Sequence, residues 1–469
     1  MTTTNFLPGG SHHSSRPIAI NEGVKNESSV RLREQDIQEF LSKLEEEGEI
    51  ETIRSHVGER FEAAAIMKEK DLGKALLFLS VGKYGRKVVA NIFGKRRRIS
   101  RALGIEEEKV HRHLLHALES PLKCKEVSSP TFQKVKPEEL SMLPVLTHYE
   151  KDAGPYITSA TVIASDPETG VQNASIHRLL AREGYFVIRM VEGRHLHQIF
   201  QKYKARGRDM PVAIVITPNP AVTVAAASPA PSGLDELQVA GALLGEPLRV
   251  VRLDGSDLSV PAEAQYVIEG LVSIEKTEKE WMTDILGTYD IPREQPVVKV
   301  TSIHRSSDPL YHAILPAGSE HRLLMGLPFE ARILENVERI GIKVLGICLT
   351  RGSGSWLHAA ISIRKNSEGD GRNAILAALS AHPSLKGVVV LDEDIDPTDY
   401  AAIDFSFATR FQSKGNLVVV EGARGSSLDP SADQRSMTTL KWGIDTTLSL
   451  SVEKERFKMA KIPGFDKRS

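Results

Sequence analysis

The middle of the chain, from about residue 156 to residue 304, is built of short segments rich in Val, Ile and Thr. Turn signals such as Asp-Pro-Glu-Thr-Gly separate these segments, a pattern typical of β-strands. Only two stretches have helical spacing of apolar residues, HLHQIFQKYKARG and LDELQVAGALLG. This pattern predicts a largely antiparallel sheet or barrel rather than repeated βαβ units. The expected strands are YITSATVIASD, GVQNASI, YFVIRMVE, PVAIVIT, AVTVAAAS, LRVVRL, AQYVIEGLVSI and PVVKVTSIH.

Both flanks of this region alternate helices and strands. Near the N-terminus, Ile37, Phe40, Leu41 and Leu44 recur at helical spacing, and two apolar strands and a second helix follow. After residue 322 the same alternation continues almost to the end of the chain. The polar Gly, Ser and Pro residues at the start predict a disordered lead-in. The predicted organisation is therefore α/β (α+β), with a lead-in at 1–29, an N-terminal α/β domain at 30–128, a central β domain at 129–322 and a C-terminal α/β domain at 323–469.

The charge balance argues against a broad electrostatic partner. The 60 Lys and Arg residues nearly match the 61 Asp and Glu residues, which leaves a formal net charge of -1. Without a basic field we expect no nucleic-acid partner, and any anion must be held by a local site. No run is apolar and long enough for a bilayer, and the start of the chain has no apolar core typical of a secretory signal. With only two cysteines, these features predict a cytoplasmic protein that does not contact a membrane.

Four stretches, in order from the middle of the chain almost to its end, resemble the UbiD decarboxylases. They are NASIHR, SGLDELQVAGALLGEPLRVVRL, VPAEAQYVIEGLVS, and the long segment from NAILAALSAHPSLKGVVVLDEDIDPTD to TTLKWGIDTT. The resemblance implies a central split β-barrel similar to flavin reductases, between an N-terminal and a C-terminal α/β domain. It also implies C-terminal contacts between subunits, and therefore a homodimer or a multiple of dimers.

The resemblance implies an enzyme that decarboxylates an α,β-unsaturated or (hetero)aromatic acid reversibly and without oxidation. Loss of CO2 from an sp2 carbon leaves a carbanion that no side chain can delocalise, so an external electron sink is required. In this family the sink is prenylated FMN, which forms a covalent adduct with the substrate and is supplied by a flavin prenyltransferase. The alternative is a flavin-binding carrier or redox module without decarboxylase activity. The third possibility, a prenyltransferase, is disfavoured because those enzymes are smaller Rossmann-type proteins.

The segment NASIHR contains the predicted substrate-binding arginine. In a strand, Asn173, Ser175 and His177 face one way, and Arg178 faces the other unless a bulge intervenes. By resemblance Asn173 is a metal ligand, and Arg178 lies close to the substrate carboxylate. The planar guanidinium of an arginine suits a carboxylate and stays charged. The residues implied to contact the cofactor here are Ser175, Ile176, His177 and Arg178.

Further site residues follow from the resemblance. His195 is the implied metal-binding histidine that opens a helix, although His197 competes for the role, and Glu236 completes the set with Asn173. Oxygen and nitrogen ligands suit Mn2+ or Mg2+. The loop AASPAP at 226–231 matches a K+ site. The implied contacts with the cofactor on these segments are Arg194, His195, Ser228 and, at the phosphate, Lys441.

The acid–base pair departs from the family pattern. The family has a Glu-Gly-Pro-Phe-Gly-Glu segment, whereas this chain has IEKTEKEWMTDILGTYD. Counting forward from Glu269 places Glu280 at the first carboxylate, with Glu278 as a competitor. Counting back from Gly287 places Asp284 at the second carboxylate. We expect one of Glu280 and Asp284 to deliver the proton that replaces CO2 and the other to orient Arg178. The plain alternative is a solvated charged loop.

Overall fold

The structure is a computed structural model, and it describes residues 36–458 and residue 460, apart from the side chain of residue 413. The predicted lead-in at residues 1–29 therefore lies outside the described residues. Residue 459 and residues 461–469, at the end of the C-terminal tail, also lie outside the described residues. All described residues from 36 onward belong to one compact unit.

The N-terminal region is a mixed sheet flanked by helices. The first strand runs parallel to the second, and the second runs antiparallel to the third. The four apolar residues that predicted the first helix are all buried in the core, which confirms that prediction. The elements are α1 (Ile37–Glu46), β1 (Ile50–Ile53), α2 (Glu62–Glu69), β2 (Ala75–Val81), β3 (Arg86–Ala90), α3 (Arg96–Leu103) and α4 (Val110–Glu119).

The central region contains the predicted antiparallel barrel, closed by six strands. The elements are β4 (Lys125–Glu126), β5 (Phe132–Val135), β6 (Tyr156–Ser165), β7 (Gln172–Arg182), β8 (Tyr185–Ile188), α5 (His195–Ala205), β9 (Met210–Ile216), α6 (Pro220–Ala227), α7 (Glu236–Leu244), β10 (Arg249–Arg252), β11 (Ser259–Pro261), β12 (Tyr266–Glu280) and β13 (Arg293–Ser306). The barrel order is β12-β9-β6-β7-β8-β13, and pairing of β12 with β13 closes it. Strand β5 pairs with the last four residues of β13, on the same edge of β13 as β8. Strands β11, β10 and β4 form a separate small sheet.

The C-terminal region is a five-stranded sheet with helices. The short strand β14 (Tyr311–Ala313) precedes this region. The elements of the region are α8 (Ser319–Arg339), β15 (Lys343–Leu349), β16 (His358–Arg364), α9 (Asp370–Ala381), β17 (Gly387–Leu391), α10 (Tyr400–Arg410), β18 (Leu417–Arg424) and β19 (Thr438–Asp445). The order is β15-β16-β17-β19-β18, with a parallel centre and an antiparallel strand at each edge. This is the α/β layer arrangement that the sequence predicted.

One predicted strand is a helix. The segment AVTVAAAS forms α6, and the strand prediction was wrong. The side chain of Asn219 accepts a hydrogen bond from the Ala221 amide at 2.8 Å, and Pro220 occupies the first helical turn. Asparagine at the N-cap, proline at the first helical position and several alanines all favour a helix. Because α6 is buried almost all round, it lacks the polar face that would have revealed helical periodicity.

The short strand β14 belongs to the N-terminal sheet rather than to the barrel that precedes it. It runs parallel to β3, with Tyr311 opposite Val88, and gives the sheet the order β1-β2-β3-β14. Helix α8 then runs through residue 322, the position of the predicted second domain limit. Pairing of β14 with β3 joins segments on the two sides of residue 128, and helix α8 continues past residue 322. The predicted domain limits at residues 128 and 322 stay predictions.

Within the described residues, no helix combines the length and apolar character that a membrane span requires. Both cysteines are free: Cys348 is buried and Cys124 is half-buried. Burial raises the pKa of the Cys348 thiol to about 11, so this thiol is held in its neutral form.

Two buried histidines make stability depend on pH. The ring nitrogens of His148 have no hydrogen-bond partner among the described residues, and the ring of His382 stacks on Phe329 with 4.2 Å between centroids. Burial lowers the pKa of each ring to about 3, below the ordinary value near 6.5. The unfolded chain therefore binds more protons than the folded chain between these values. The contribution of each neutral ring to the free energy of unfolding is fully present above pH ~6.5. It is lost as the pH falls, by at most about 1.4 kcal/mol per pH unit for each ring.

We expect His148→Leu to flatten this acid-side loss of stability, because an apolar side chain at an unpartnered buried site has no proton to gain. Urea unfolding at pH 7.5, 6.5 and 5.5 measures the effect. The matched control is His116→Leu, at an exposed position on α4. A pH dependence in His148→Leu as steep as in the unchanged protein would contradict the assignment.

Candidate functional site

Strand β7 carries a row of hydrogen-bonded polar side chains on one face, as its sequence predicted. His177 Nδ1 donates to the Arg189 carbonyl at 2.8 Å, so Nε2 is the acceptor in the neutral ring. The Ser175 hydroxyl lies 3.0 Å from that Nε2 and 3.1 Å from Asn173 Oδ1, and these two atoms compete for its single proton. Burial lowers the pKa of His177 to about 4, which keeps the ring neutral. Ile176, between these residues, is half-buried.

Two of the three predicted metal ligands are in direct contact. Asn173 Nδ2 donates to Glu236 Oε1 at 2.8 Å, and the Ala174 amide donates to Oε2 at 2.7 Å. Glu236 is the first residue of α7, directly after the N-cap Asp235. Burial raises the pKa of the Glu236 carboxyl to about 8, and no cationic side chain among the described residues forms an ion pair with it. A buried carboxylate without a cationic partner is the environment in which a metal ion would offset the charge.

The third predicted ligand, His195, opens α5 and lines a cavity of about 50 Å³ together with Asn173. His197 instead contacts the Gly193 amide and Gln201 on its own helix. Over residues 36–458 and 460, no three His, Cys, Asp or Glu side chains are grouped as metal ligands. The predicted set has one amide, one imidazole and one carboxylate, which fit a hard divalent cation.

A group of four cations lies near the start of α5. The pKa of Arg194 is lowered mainly by burial and further by the positive charges of Arg424 and Arg332. Lys441 Nζ donates to the Pro383 carbonyl at 2.7 Å, and burial followed by Arg424 lowers its pKa. In the described part of the chain, none of these four side chains pairs with an acidic residue. Mutually repelling cations without acidic partners form a site for an anion such as a phosphate.

Ser228 does not present a free hydroxyl. Its Oγ donates to the Val224 carbonyl at 2.8 Å in the last turn of α6, and its own carbonyl accepts from the Ala230 amide. Any contact of Ser228 with an ion or cofactor would therefore use backbone oxygens of this loop rather than the side chain. A K+ site built from carbonyl oxygens stays a prediction.

The buried guanidinium of Arg178 contacts two carboxylates. Its Nε and Nη2 atoms donate to the two oxygens of Glu280 at 3.0 and 2.9 Å, and Nη2 also donates to Asp290 at 3.0 Å. The side chains of Arg178 and Glu280 are 12% and 1% exposed. The Tyr156 hydroxyl lies 3.2 Å from a Glu280 oxygen and 2.9 Å from the Trp281 carbonyl, and these two acceptors compete for its single proton. The Nη1 hydrogens of Arg178 have no acceptor among the described residues, so one side of the guanidinium is available to a ligand.

Glu278 contacts different partners from Glu280. It accepts hydrogen bonds from Arg182 Nε at 2.7 Å and from the Tyr185 hydroxyl at 2.9 Å. Both glutamates belong to strand β12, which contradicts the interpretation of this segment as a solvated charged loop. Residues two apart in a strand share a face, so only their cross-strand neighbours distinguish them.

Asp284 and Asp290 have opposite ionisation tendencies although both lie near Arg178. Burial raises the pKa of Asp284, and Arg178 opposes this only in part. Burial also acts on Asp290, but hydrogen bonds and charges from Arg293 and Arg178 lower its pKa overall. Asp284 has no hydrogen bond to Arg178 in the described structure. A pair of carboxyls with divergent pKa values is the arrangement used for acid–base chemistry.

The sequence did not single out Asp290 or Arg332. Asp290 lies on the far side of the turn that contains Asp284, where Thr283 pairs with Tyr289. A hairpin brings its two ends together, so a carboxylate six residues after Asp284 could have been considered a candidate. Arg332 lies within helix α8 and carries no local signal for an anion site.

Comparisons with known proteins identify one family along most of the chain. Residues 41–118, 121–319 and 322–446 match the N-terminal, Rift-related and C-terminal domains of 3-octaprenyl-4-hydroxybenzoate carboxy-lyase, the UbiD domains. The anhydromevalonate phosphate decarboxylase of Methanocaldococcus jannaschii is 43% identical over 86% of this chain and 95% of its own. The same enzyme of Methanosarcina mazei is 40% identical over 91% and 99%.

A solved structure of the UbiD-class enzyme HmfF from Pelotomaculum thermopropionicum with FMN superposes with a TM-score of 0.88 at 37% identity. It covers 92% of this chain and 98% of its own. An evolved dimeric form of HmfF with prFMN gives a TM-score of 0.85 at 35% identity, over 93% and 99%. From its domain matches, its relatives and its fold, we conclude that this chain belongs to the UbiD family of carboxy-lyases.

Proposed function

We propose that this protein decarboxylates an α,β-unsaturated or (hetero)aromatic carboxylic acid, reversibly and without oxidation, with prenylated FMN as cofactor. The observation that carries the proposal is the group around Arg178. It combines a buried guanidinium with a free Nη1 side, two carboxylates that fix its orientation, and a third carboxyl with a raised pKa. A flavin carrier would have little use for such a group, which argues against the carrier alternative.

Each side chain of the group has a proposed role. Arg178 binds the substrate carboxylate through Nη1, since the fork formed by Nε and Nη2 is already occupied by Glu280. Glu280 and Asp290 hold the guanidinium in place. Asp284 delivers the proton that takes the place of CO2, because burial raises its pKa and so favours its protonated form. This refines the prediction of Glu280 and Asp284 as the pair, and it adds Asp290 as an orienting residue.

The cofactor residues are proposed from the cationic group and the buried carboxylate. Prenylated FMN, when bound, supplies the electron sink that decarboxylation at an sp2 carbon requires. Arg194, Arg424 and Lys441 would hold its phosphate. Asn173, His195 and Glu236 would hold Mn2+ or Mg2+, and the backbone around Ser228 would hold K+. The buried, unpaired charge of Glu236 and the unpaired cations are the features that fit these groups.

We propose anhydromevalonate phosphate as the substrate, since relatives that are 39% to 43% identical carry that enzyme name. Aromatic acids are the second candidate class, because a 27% identical relative is a gallate decarboxylase. The proposal includes a flavin prenyltransferase as the source of the cofactor, a cytoplasmic location and a homodimer. The edge strand β18 and its neighbour β19 expose Leu417, Val419 and Leu440, apolar side chains that suit a subunit contact.

The test uses protein produced together with a flavin prenyltransferase. We expect the purified protein to show a modified flavin spectrum and to release CO2 from anhydromevalonate phosphate or, failing that, from gallate or cinnamate. Protein produced without the prenyltransferase serves as the control and should release none. A cofactor-loaded protein that releases no CO2 and exchanges no substrate hydrogen with D2O would favour the carrier alternative.

A further inference from the structure

Three segments meet beside Asp284. They are the turn at 284–288, the start of helix α8 with the residues before it, and the turn at 351–354. A Cβ atom at Gly354 would lie 2.7 Å from the Leu286 side chain, and one at Gly287 would lie 3.8 Å from the Ala317 Cβ. The three segments are therefore packed closely against one another.

Two arginines from these segments lack an acidic partner. Arg322 Nε donates to the Ile285 carbonyl at 3.3 Å, directly beyond Asp284. Arg351 Nη2 lies 3.4 Å from the Ser319 hydroxyl. Neither forms an ion pair within the described residues. Burial lowers the pKa of Arg322, and the positive charge of Arg351 lowers it further, so the two guanidinium groups lie close enough to repel each other.

One carboxylate, Asp71, lies nearby but forms no ion pair with either arginine among the described residues. Its charge raises the pKa of Arg322, against burial and Arg351, and its two oxygens accept hydrogen bonds from the Ser319 amide at 2.7 Å and the Ser319 hydroxyl at 3.0 Å. Asp71 therefore stabilises the first turn of α8. Two phenols complete the surroundings: Tyr149 donates to the Pro316 carbonyl, and Tyr400 accepts from the Arg351 amide and keeps its own proton to donate.

His321 connects this arginine pair to the Arg178 group. Its Nδ1 accepts from the Ala317 amide at 3.1 Å, so its Nε2 carries the hydrogen of the neutral ring. Burial lowers the pKa of His321 to about 4, and both Arg322 and Arg178 act in the same direction. A single imidazole thus lies within electrostatic reach of both cationic positions.

We infer that Arg322 and Arg351 form a second anion subsite, which binds a phosphate ester on the far end of the acid whose carboxylate meets Arg178. A phosphate dianion suits two unpaired guanidinium groups better than a single carboxylate does. The inference rests on the proposed function, because it assigns the far end of the same substrate. It makes the chain selective for a phosphorylated acid over the same acid without phosphate.

The test compares anhydromevalonate phosphate with anhydromevalonate on the cofactor-loaded protein. We expect Arg322→Gln and Arg351→Gln each to lower the ratio of kcat/KM for the phosphorylated acid to that for the unphosphorylated acid about 10- to 100-fold. The change should lie mainly in KM. The matched control is Arg339→Gln, an exposed arginine at the other end of α8 paired with Glu335. Arg351 is exposed, so its variant keeps the test valid if Arg322→Gln fails to fold.

The outcomes separate this inference from the proposed function. A ratio that is unchanged in both variants, or a starting protein without preference for the phosphorylated acid, overturns the subsite while CO2 release still supports a decarboxylase. If no acid releases CO2, the proposed function fails. Calorimetric titration with the two acids then decides the subsite, since the variants must lose the phosphate-dependent part of the binding. Equal binding of both acids by the unchanged protein overturns it.

Discussion

Arg178→Lys is expected to lower kcat for CO2 release about 100- to 1000-fold, the cost of removing one preorganised charged donor from a reaction site. Lysine keeps the positive charge but cannot hold Glu280 with two parallel hydrogen bonds, contact Asp290 and still offer a free donor to the substrate. Retention of the cofactor, measured from the flavin spectrum, should be largely preserved. Arg178→Ala should abolish release too, but it leaves buried carboxylates unpaired and destabilises the protein by about 3 to 5 kcal/mol.

The matched control is Arg182→Lys. Arg182 lies four residues further along the same strand, and its Nε binds Glu278 in a similar way at 2.7 Å, but its side chain is 28% exposed. We expect only a small loss of turnover in this variant. Near-normal turnover in Arg178→Lys, or equal losses in the two variants, would show that Arg178 does not bind the substrate carboxylate.

Asp284→Asn is expected to slow product formation about 100- to 10,000-fold, the usual contribution of a positioned acid or base. The amide is nearly the same size but has no acidic proton to give. Incorporation of deuterium from D2O into the product measures the step directly. The comparison variant is Asp290→Asn. It removes the negative charge that contacts Arg178 but leaves the buried carboxyl of Asp284 in place.

We expect Asp290→Asn to have the smaller effect on deuterium incorporation, although it should weaken substrate binding because Arg178 is less firmly held. Normal incorporation in Asp284→Asn together with a loss in Asp290→Asn would exchange the two roles. A loss of deuterium incorporation in Glu280→Gln alone would identify Glu280 as the proton donor, the alternative that the sequence also allowed.

Strand periodicity explains which parts of the site could be predicted. The alternation in β7 placed Asn173, Ser175 and His177 on one face, and the structure links their side chains by hydrogen bonds. The same periodicity could not choose between Glu278 and Glu280, since both lie on one face of β12. Their partners on other strands, Arg182 and Arg178, make the distinction, and those contacts depend on the closed barrel.

The errors have equally specific causes. Helix α6 was mistaken for a strand because a helix buried on all sides shows no period of 3.6 residues. The sequence prediction did not include Asp290 because it placed the two carboxylates by their sequence distance from Glu269 and Gly287. The turn between Thr283 and Tyr289 folds the segment back and brings Asp290 to the site. The cationic group consists of side chains from α8, β18, β19 and the residue before α5. These elements are far apart in sequence, so no local sequence pattern predicts the group.

The place of strand β14 has a consequence for biosynthesis. As the chain leaves the ribosome, residues 36–120 emerge with strand β3 lacking its outer neighbour, which is made about 200 residues later. Until Tyr311–Ala313 arrives, that edge offers free amide and carbonyl groups to any other nascent chain. Completion of the first-made sheet must therefore wait for translation of the whole barrel, and a product truncated before residue 311 would be a natural target for chaperones and proteases.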